Sequence, residues 1–156
     1  MNKIHHTFRP VLILLILVST QPVALHAQPY RHAAGVRAGL SSGISYKGFR
    51  LHRMSAFELD ILYNRHGLNL NALYEYHLEP FNKSTRTFVY LGGGVFGGDW
   101  NDRFSIGVAA VAGLEYTFRD LPLNLSLDWK PMLNLYADLE PDWLDFGLSI
   151  RYRFSR

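Results

Sequence analysis

Residues 122–131 read PLNLSLDWKP. Leu123, Leu125, Leu127 and Trp129 alternate without a break against Asn124, Ser126, Asp128 and Lys130. Strict period-two alternation marks a strand whose two faces meet different surroundings. The choice of surroundings constrains everything else. A soluble barrel hides the leucines inside, whereas a membrane barrel turns them outward.

The same pattern recurs along the chain. Eight candidate strands cover 35–40, 44–49, 57–63, 68–77, 87–97, 106–118, 122–131 and 144–154, and no segment reads as a helix. In FELDILY, Phe57, Leu59, Ile61 and Tyr63 oppose Glu58 and Asp60. The stretch 87–97 is less regular, because its glycines fall on both faces. Short, turn-rich breaks between sequential strands predict an antiparallel up-and-down sheet. Eight such strands can close into a barrel and so remove both edges.

The two sets of faces decide the orientation. The apolar faces carry no charge and many rings, among them Tyr46, Phe57, Tyr63 and Phe146. The interior of an eight-stranded barrel is only just wide enough for side chains and cannot hold all of them. The opposite faces carry the bases Arg37, Lys47, Lys130, Arg151 and Arg153 against the acids Glu58, Asp60, Glu75, Glu115, Asp128 and Asp145. Small residues such as Gly35, Gly107 and Gly113 lie between them. That composition suits a plugged, self-neutralising interior. Arg37, Glu75, Glu115, Asp128, Lys130, Arg151 and Arg153 are the expected interior charge network. Tyr74 with Tyr76, Tyr116 with Phe118, and Tyr152 with Phe154 close their strands at one end, as an aromatic girdle at a lipid interface would. Trp129 joins them as an expected lipid-interface aromatic. The predicted fold is therefore all-β, an eight-stranded antiparallel up-and-down transmembrane β-barrel.

The start of the chain agrees with export. Lys3 and Arg9 precede the apolar run VLILLILV at 11–18, and Ala27 in ALHAQ offers a cleavage point. The run is shorter than the roughly 20 residues that a spanning helix needs. Residues 1–27 read as a cleaved signal peptide and 28–156 as one barrel domain. Without the leader, Lys plus Arg falls from 16 to 14 against 13 Asp plus Glu, near +1. The whole-chain pI of 9.3 thus gives no reason to expect nucleic acid. With no cysteine, disulfides and an N-terminal cysteine lipid anchor are excluded. Eight strands put both ends of the mature chain on one side, expected to be the periplasm. Residues 41–43, 65–67, 98–103 and roughly 136–143 then form short outer loops.

GLNLNALYEYH (67–77), YLGGGVFGG (90–98), AGLEYTF (112–118), PLNLSLDWKP (122–131) and GLSIRYRF (147–154) resemble a family of small outer-membrane β-barrel proteins of Bacteroidetes-type bacteria. At the level of fold these are similar to the OmpX and OmpA membrane domains. The resemblance covers nearly all of the mature chain. It implies an eight-stranded outer-membrane barrel, handled by the barrel-assembly machinery during biogenesis, and no established reaction. Such barrels often end on Phe, whereas here Ser155 and Arg156 follow Phe154.

Reactive constellations are sparse. Glu75 and His77 share an inner face, but two ligands fall short of a metal site. Ser126, Asp128 and His77 suggest a nucleophile, acid and base, yet their registers point into the lumen, away from lipid, and no G-x-S-x-G elbow is present. Gly92–Gly94 lack a following Lys-Ser or Lys-Thr and lie within a strand, so close packing against interior aromatics or strand bending explains them better than a phosphate loop. The expected protein is not an enzyme and takes no cofactor or metal. It is a monomeric, porin-like outer-membrane barrel among lipid and lipopolysaccharide, with a structural or surface-interaction role. A narrow pore for ions or small solutes is the alternative, and an outer-membrane lipid hydrolase is third.

Overall fold

A computed structural model describes residues 30–50, 54–78, 86–136, 139 and 141–155. The expected leader, residues 1–27, and parts of the expected connections at 50–54, 78–86 and 136–143 lie outside the described residues. The described chain is all-β, with no helix among these residues.

Its strands are β1 (His32–Gly39), β2 (Ser42–Phe49), β3 (Ser55–Asn64), β4 (Gly67–Leu78), β5 (Thr87–Trp100), β6 (Arg103–Thr117), β7 (Leu123–Trp129), β8 (Met132–Asn134), β9 (Pro141–Asp142) and β10 (Phe146–Ser155). Each of β1 to β6 is one stave of a barrel. β7 and β8 form the seventh stave, since both pair with β6 in one continuous register. Pro131 interrupts it because proline has no N–H to donate. Its carbonyl still accepts from Ala110 N at 2.9 Å. β9 and β10 make the eighth stave, and β10 pairs with β1 to close the ring.

The register gives the barrel its dimensions. From Asn124 the inward-facing partners run through Arg151, Gly35, Ser45, Asp60, Asn71, Phe96 and Gly107 and return to the same stave at Asn134, ten residues along. With about 3.3 Å per residue and about 4.8 Å between strands, that stagger over eight staves sets a tilt of about 40° and a backbone radius of about 8 Å. Such a lumen is filled by its side chains.

Burial follows the alternation. Along β3 the pattern is buried at Glu58, Asp60, Leu62 and Asn64 and exposed at Phe57, Leu59, Ile61 and Tyr63. The β5–β6 hairpin is longer than the sequence suggests. The expected loop at 98–103 contracts to Asn101–Asp102, both at positive φ (53° and 65°). This is the geometry of a two-residue hairpin turn matched to strand twist, and Asn and Asp tolerate it best after glycine. The turn fixes Trp100 opposite Arg103 and hence every pair below it. Tyr30 and Ser155 lie at the same end, because β1 pairs antiparallel with both neighbours and His32 faces Ser155.

Candidate functional site

The lumen concentrates the chain's polar chemistry. It is assembled from side chains far apart in sequence, carried inward by alternate positions on nearly every stave. One ion-pair group stands towards the β1–β2 turn. Arg37 from β1 meets Asp128 at 2.8 Å and Asp145 at 3.1 Å. Ser41 in the turn bonds both sides of this pair: its carbonyl accepts from Arg37 at 2.9 Å, and its hydroxyl donates to Asp145 at 2.7 Å. Tyr90 donates its phenol to the other Asp128 oxygen at 3.3 Å.

A second group centres on Glu58. Its carboxylate takes Lys130 at 2.6 Å, Lys47 at 2.9 Å and Arg151 at 3.0 Å, and Lys130 also holds Asp60. Arg151 spends its other donors on Ser45 and Ser126, at 2.9 and 2.7 Å. Lys47 leads into a third group. Its ammonium lies 2.7 Å from Glu75 and 3.2 Å from Glu115, and 4.1 Å from the centre of the Tyr90 ring. Among the described residues, four bases in these groups face six carboxylates. Each charge is buried, so mutual pairing is the condition for keeping it there.

The sequence-predicted network residues Arg37, Glu75, Glu115, Asp128, Lys130 and Arg151 therefore meet in the lumen, together with Lys47, Glu58, Asp60 and Asp145. Arg153 is buried at the end near the termini, where it donates to the carbonyls of Phe118 and Leu121 and ties β10 to the β6–β7 turn.

The lumen also holds apolar groups that the alternation did not separate from the outer wall. Tyr30, Phe49, His77 and Phe88 form an aromatic floor, with Tyr30–Phe49 at 4.9 Å and Phe49–His77 at 4.7 Å between ring centres. Leu73, Tyr90, Phe96, Trp100, Val111 and Met132 cluster along β4 to β8. Inward glycines make room for the largest of these. A Cβ on Gly113 would come within 2.5 Å of the Tyr90 ring, and one on Gly107 within 2.5 Å of the Phe96 ring. Each glycine is the direct cross-strand partner of its aromatic. Gly147 is likewise covered by the Arg37 guanidinium.

None of the weaker constellations assembles. Ser126 is held by Arg151 and Asp128 by Arg37 and Tyr90, while neither ring nitrogen of His77 makes a hydrogen bond. His77 stands 3.7 Å from Glu75 and 3.6 Å from Glu115, with Lys47 already between those carboxylates. No group of three His, Asp or Glu side chains among the described residues is arranged to hold a metal ion. Gly92–Gly94 lie inside β5, packed against β4. At the other rim, Asp142 joins Arg65 at 2.9 Å and His66 at 3.3 Å, and His66 stacks on Trp100 at 3.9 Å.

The outer wall carries the predicted aromatics. Tyr74, Tyr76, Tyr116, Tyr152 and Phe154 are exposed, and Phe118 is partly covered by Tyr116, edge to face at 4.9 Å. All six lie towards the end with the termini. Trp129 stands farther along the wall, stacked with Phe146 across the β7–β10 pairing and donating to the Trp143 carbonyl at 2.6 Å. No family model, no curated protein and no solved structure matches this chain.

Proposed function

We propose that the chain is a small outer-membrane β-barrel with a structural or surface-interaction role. In this reading it is a monomer among lipid and lipopolysaccharide, inserted by the barrel-assembly machinery after loss of the leader. Its lumen is a plug rather than a passage. The observation that carries the reading is the inversion of burial. Arg37, Lys47, Glu58, Glu75, Glu115 and Arg151 are at most 2% exposed, while Leu70, Val95, Leu127 and Ile150 are 47–58% exposed. Monomeric soluble proteins rarely expose contiguous apolar patches beyond a few hundred Å², and here apolar residues alternate outward on every one of the longer strands. Lipid hydrocarbon is the solvent that makes this arrangement favourable. The likeness of the quoted segments to small barrels of Bacteroidetes-type bacteria and the exportable leader support the same reading.

The lumen's role as a plug rests on paired charges and an aromatic floor across a radius of about 8 Å. Ser126 inside the wall, bonded to Arg151, is poorly placed for lipid hydrolysis. The test is fractionation with gel migration. The full chain is expected in outer membranes and to migrate differently in detergent before and after boiling. Recovery as a soluble periplasmic protein with one migration position overturns the proposal.

A further inference from the structure

We propose that the rim bearing the chain termini is an anionic-phospholipid collar, in which two pairs of arginines hold lipid phosphates below the aromatic belt. This rests on the membrane-spanning reading above. Arg31 precedes β1 and Arg50 follows β2, and they are drawn together by the bond from Phe49 N to the Arg31 carbonyl at 2.9 Å. Arg86 precedes β5 and Arg119 follows β6, and here Thr117 N bonds the Arg86 carbonyl at 3.1 Å. The two pairs stand four staves apart in a ring of eight, on opposite sides of the barrel. All four side chains are exposed, and none forms an ion pair with a described residue. Asp120 is the one exposed acid among the described residues at this rim.

The opposite rim has no such bias. Its exposed charges among the described residues are Asp99, Asp102, Arg103 and Arg65, and Arg65 is neutralised by Asp142. The position of the arginines along the axis identifies the partner. Tyr116, Phe118, Tyr152 and Phe154 line the wall just inside this rim, where amphipathic rings sit at the hydrocarbon boundary. A charge one step beyond that belt lies at the depth of the headgroup phosphates. A guanidinium fork matches a phosphate in geometry as well as in sign. A soluble acidic partner would gain nothing from the aromatic belt, so the commitment is to the lipid.

The full chain is reconstituted in phosphatidylcholine vesicles carrying a trace of spin-labelled phosphatidylglycerol or spin-labelled phosphatidylcholine. Electron spin resonance then reads the fraction of each that is motionally restricted by the protein. The expected selectivity for phosphatidylglycerol is about two- to fivefold at low salt, falling towards one in 0.5 M NaCl. It should fall equally in R31Q/R50Q/R86Q/R119Q and be kept only in part by the corresponding lysine variant, which retains the charge and loses the fork. Equal restriction of the two lipids by the wild type, or selectivity that persists in the glutamine variant, overturns the collar and leaves the barrel reading standing. No restricted component for either lipid removes the bilayer reading and the collar with it. The salt series uses the wild type alone, so the test does not depend on the variant's folding.

Discussion

Glu58→Gln tests whether the lumen's charges are load-sharing partners in a dry interior. Glu58 meets three bases, but they do not depend on it equally. Lys47 would keep Glu75 and Glu115, and Lys130 would keep Asp60. Arg151 would lose its one carboxylate contact within ion-pair distance and keep only the hydroxyls of Ser45 and Ser126. A fully buried guanidinium left without a counter-charge costs about 3–5 kcal/mol. The isosteric amide preserves volume, so the loss is electrostatic.

Glu75→Gln is the matched control. Glu75 is as deeply buried, but its ion-pair partner Lys47 retains two carboxylates, and six lumen carboxylates already exceed the four paired bases. Its replacement leaves no lumen base without a carboxylate and should cost about 1 kcal/mol or less. Reversible urea unfolding in lipid vesicles, followed by tryptophan fluorescence and by migration of unheated samples, measures both. A Glu58→Gln loss below about 1 kcal/mol, or equal losses for the two variants, refutes the reasoning. Either would mean that water screens these pairs and that the lumen is wet.

Three further outcomes follow from the same geometry. Leu127→Arg places a charge on the outer wall and should destabilise the barrel in bilayers by about 2–4 kcal/mol; a change within about 0.5 kcal/mol is the soluble-surface result and would refute the membrane reading. Gly113→Ala drives a methyl against the Tyr90 ring and should cost about 1–3 kcal/mol in the same titration, whereas Gly93→Ala, whose added Cβ meets only the Ala109 carbonyl at 3.4 Å, should be tolerated. In planar bilayers the wild type should give no steady single-channel steps, and regular steps would replace the plug with the narrow-pore reading.

The outer face was legible in the sequence because it asks only for apolarity at every second position. LNLSLDW states this with no break and FELDILY with one, at Leu62; the structure gives both as strands, with Leu59 and Leu127 facing out and Leu62 facing in. The inner face was legible only where it is charged. Leu62, Leu73, Val111 and Met132 point inward, and apolarity alone does not distinguish an inward leucine from an outward one. In β5 the difficulty was register. Its glycines lie on both faces, so Tyr90 and Phe96 could be assigned only once the Asn101–Asp102 turn was known. A signal was present in the aromatic–glycine pairs. With a two-residue turn at Asn101–Asp102, Phe96 falls opposite Gly107 and Tyr90 opposite Gly113. Reading 98–103 as one broad loop hid that correspondence.

Closure poses a problem that the outer wall cannot solve. Sliding one stave by two residues keeps every apolar side chain facing out, so the outer wall scarcely distinguishes the staggers. The lumen does distinguish them. Arg37 reaches Asp128 across 91 residues of sequence, Lys47 reaches Glu115 across 68, and Arg151 reaches Glu58 across 93. All three pairs reach across the β1–β10 seam, and a two-residue slip there, about 6.6 Å, would draw their partners apart in the buried lumen. The ion pairs are therefore a weak source of net stability, since burying them is itself costly, but a strong source of discrimination between staggers. The double variant E58Q/R151Q separates these roles. It removes both charges, so it should be closer in stability to wild type than E58Q is, with a coupling of about 0.5–3 kcal/mol. It should also show more than one folded register, read as heterogeneous cross-strand contacts between β1 and β10 by nuclear magnetic resonance. A single wild-type set of β1–β10 contacts in that variant would show that the Glu58–Arg151 pair is not what selects the ten-residue stagger.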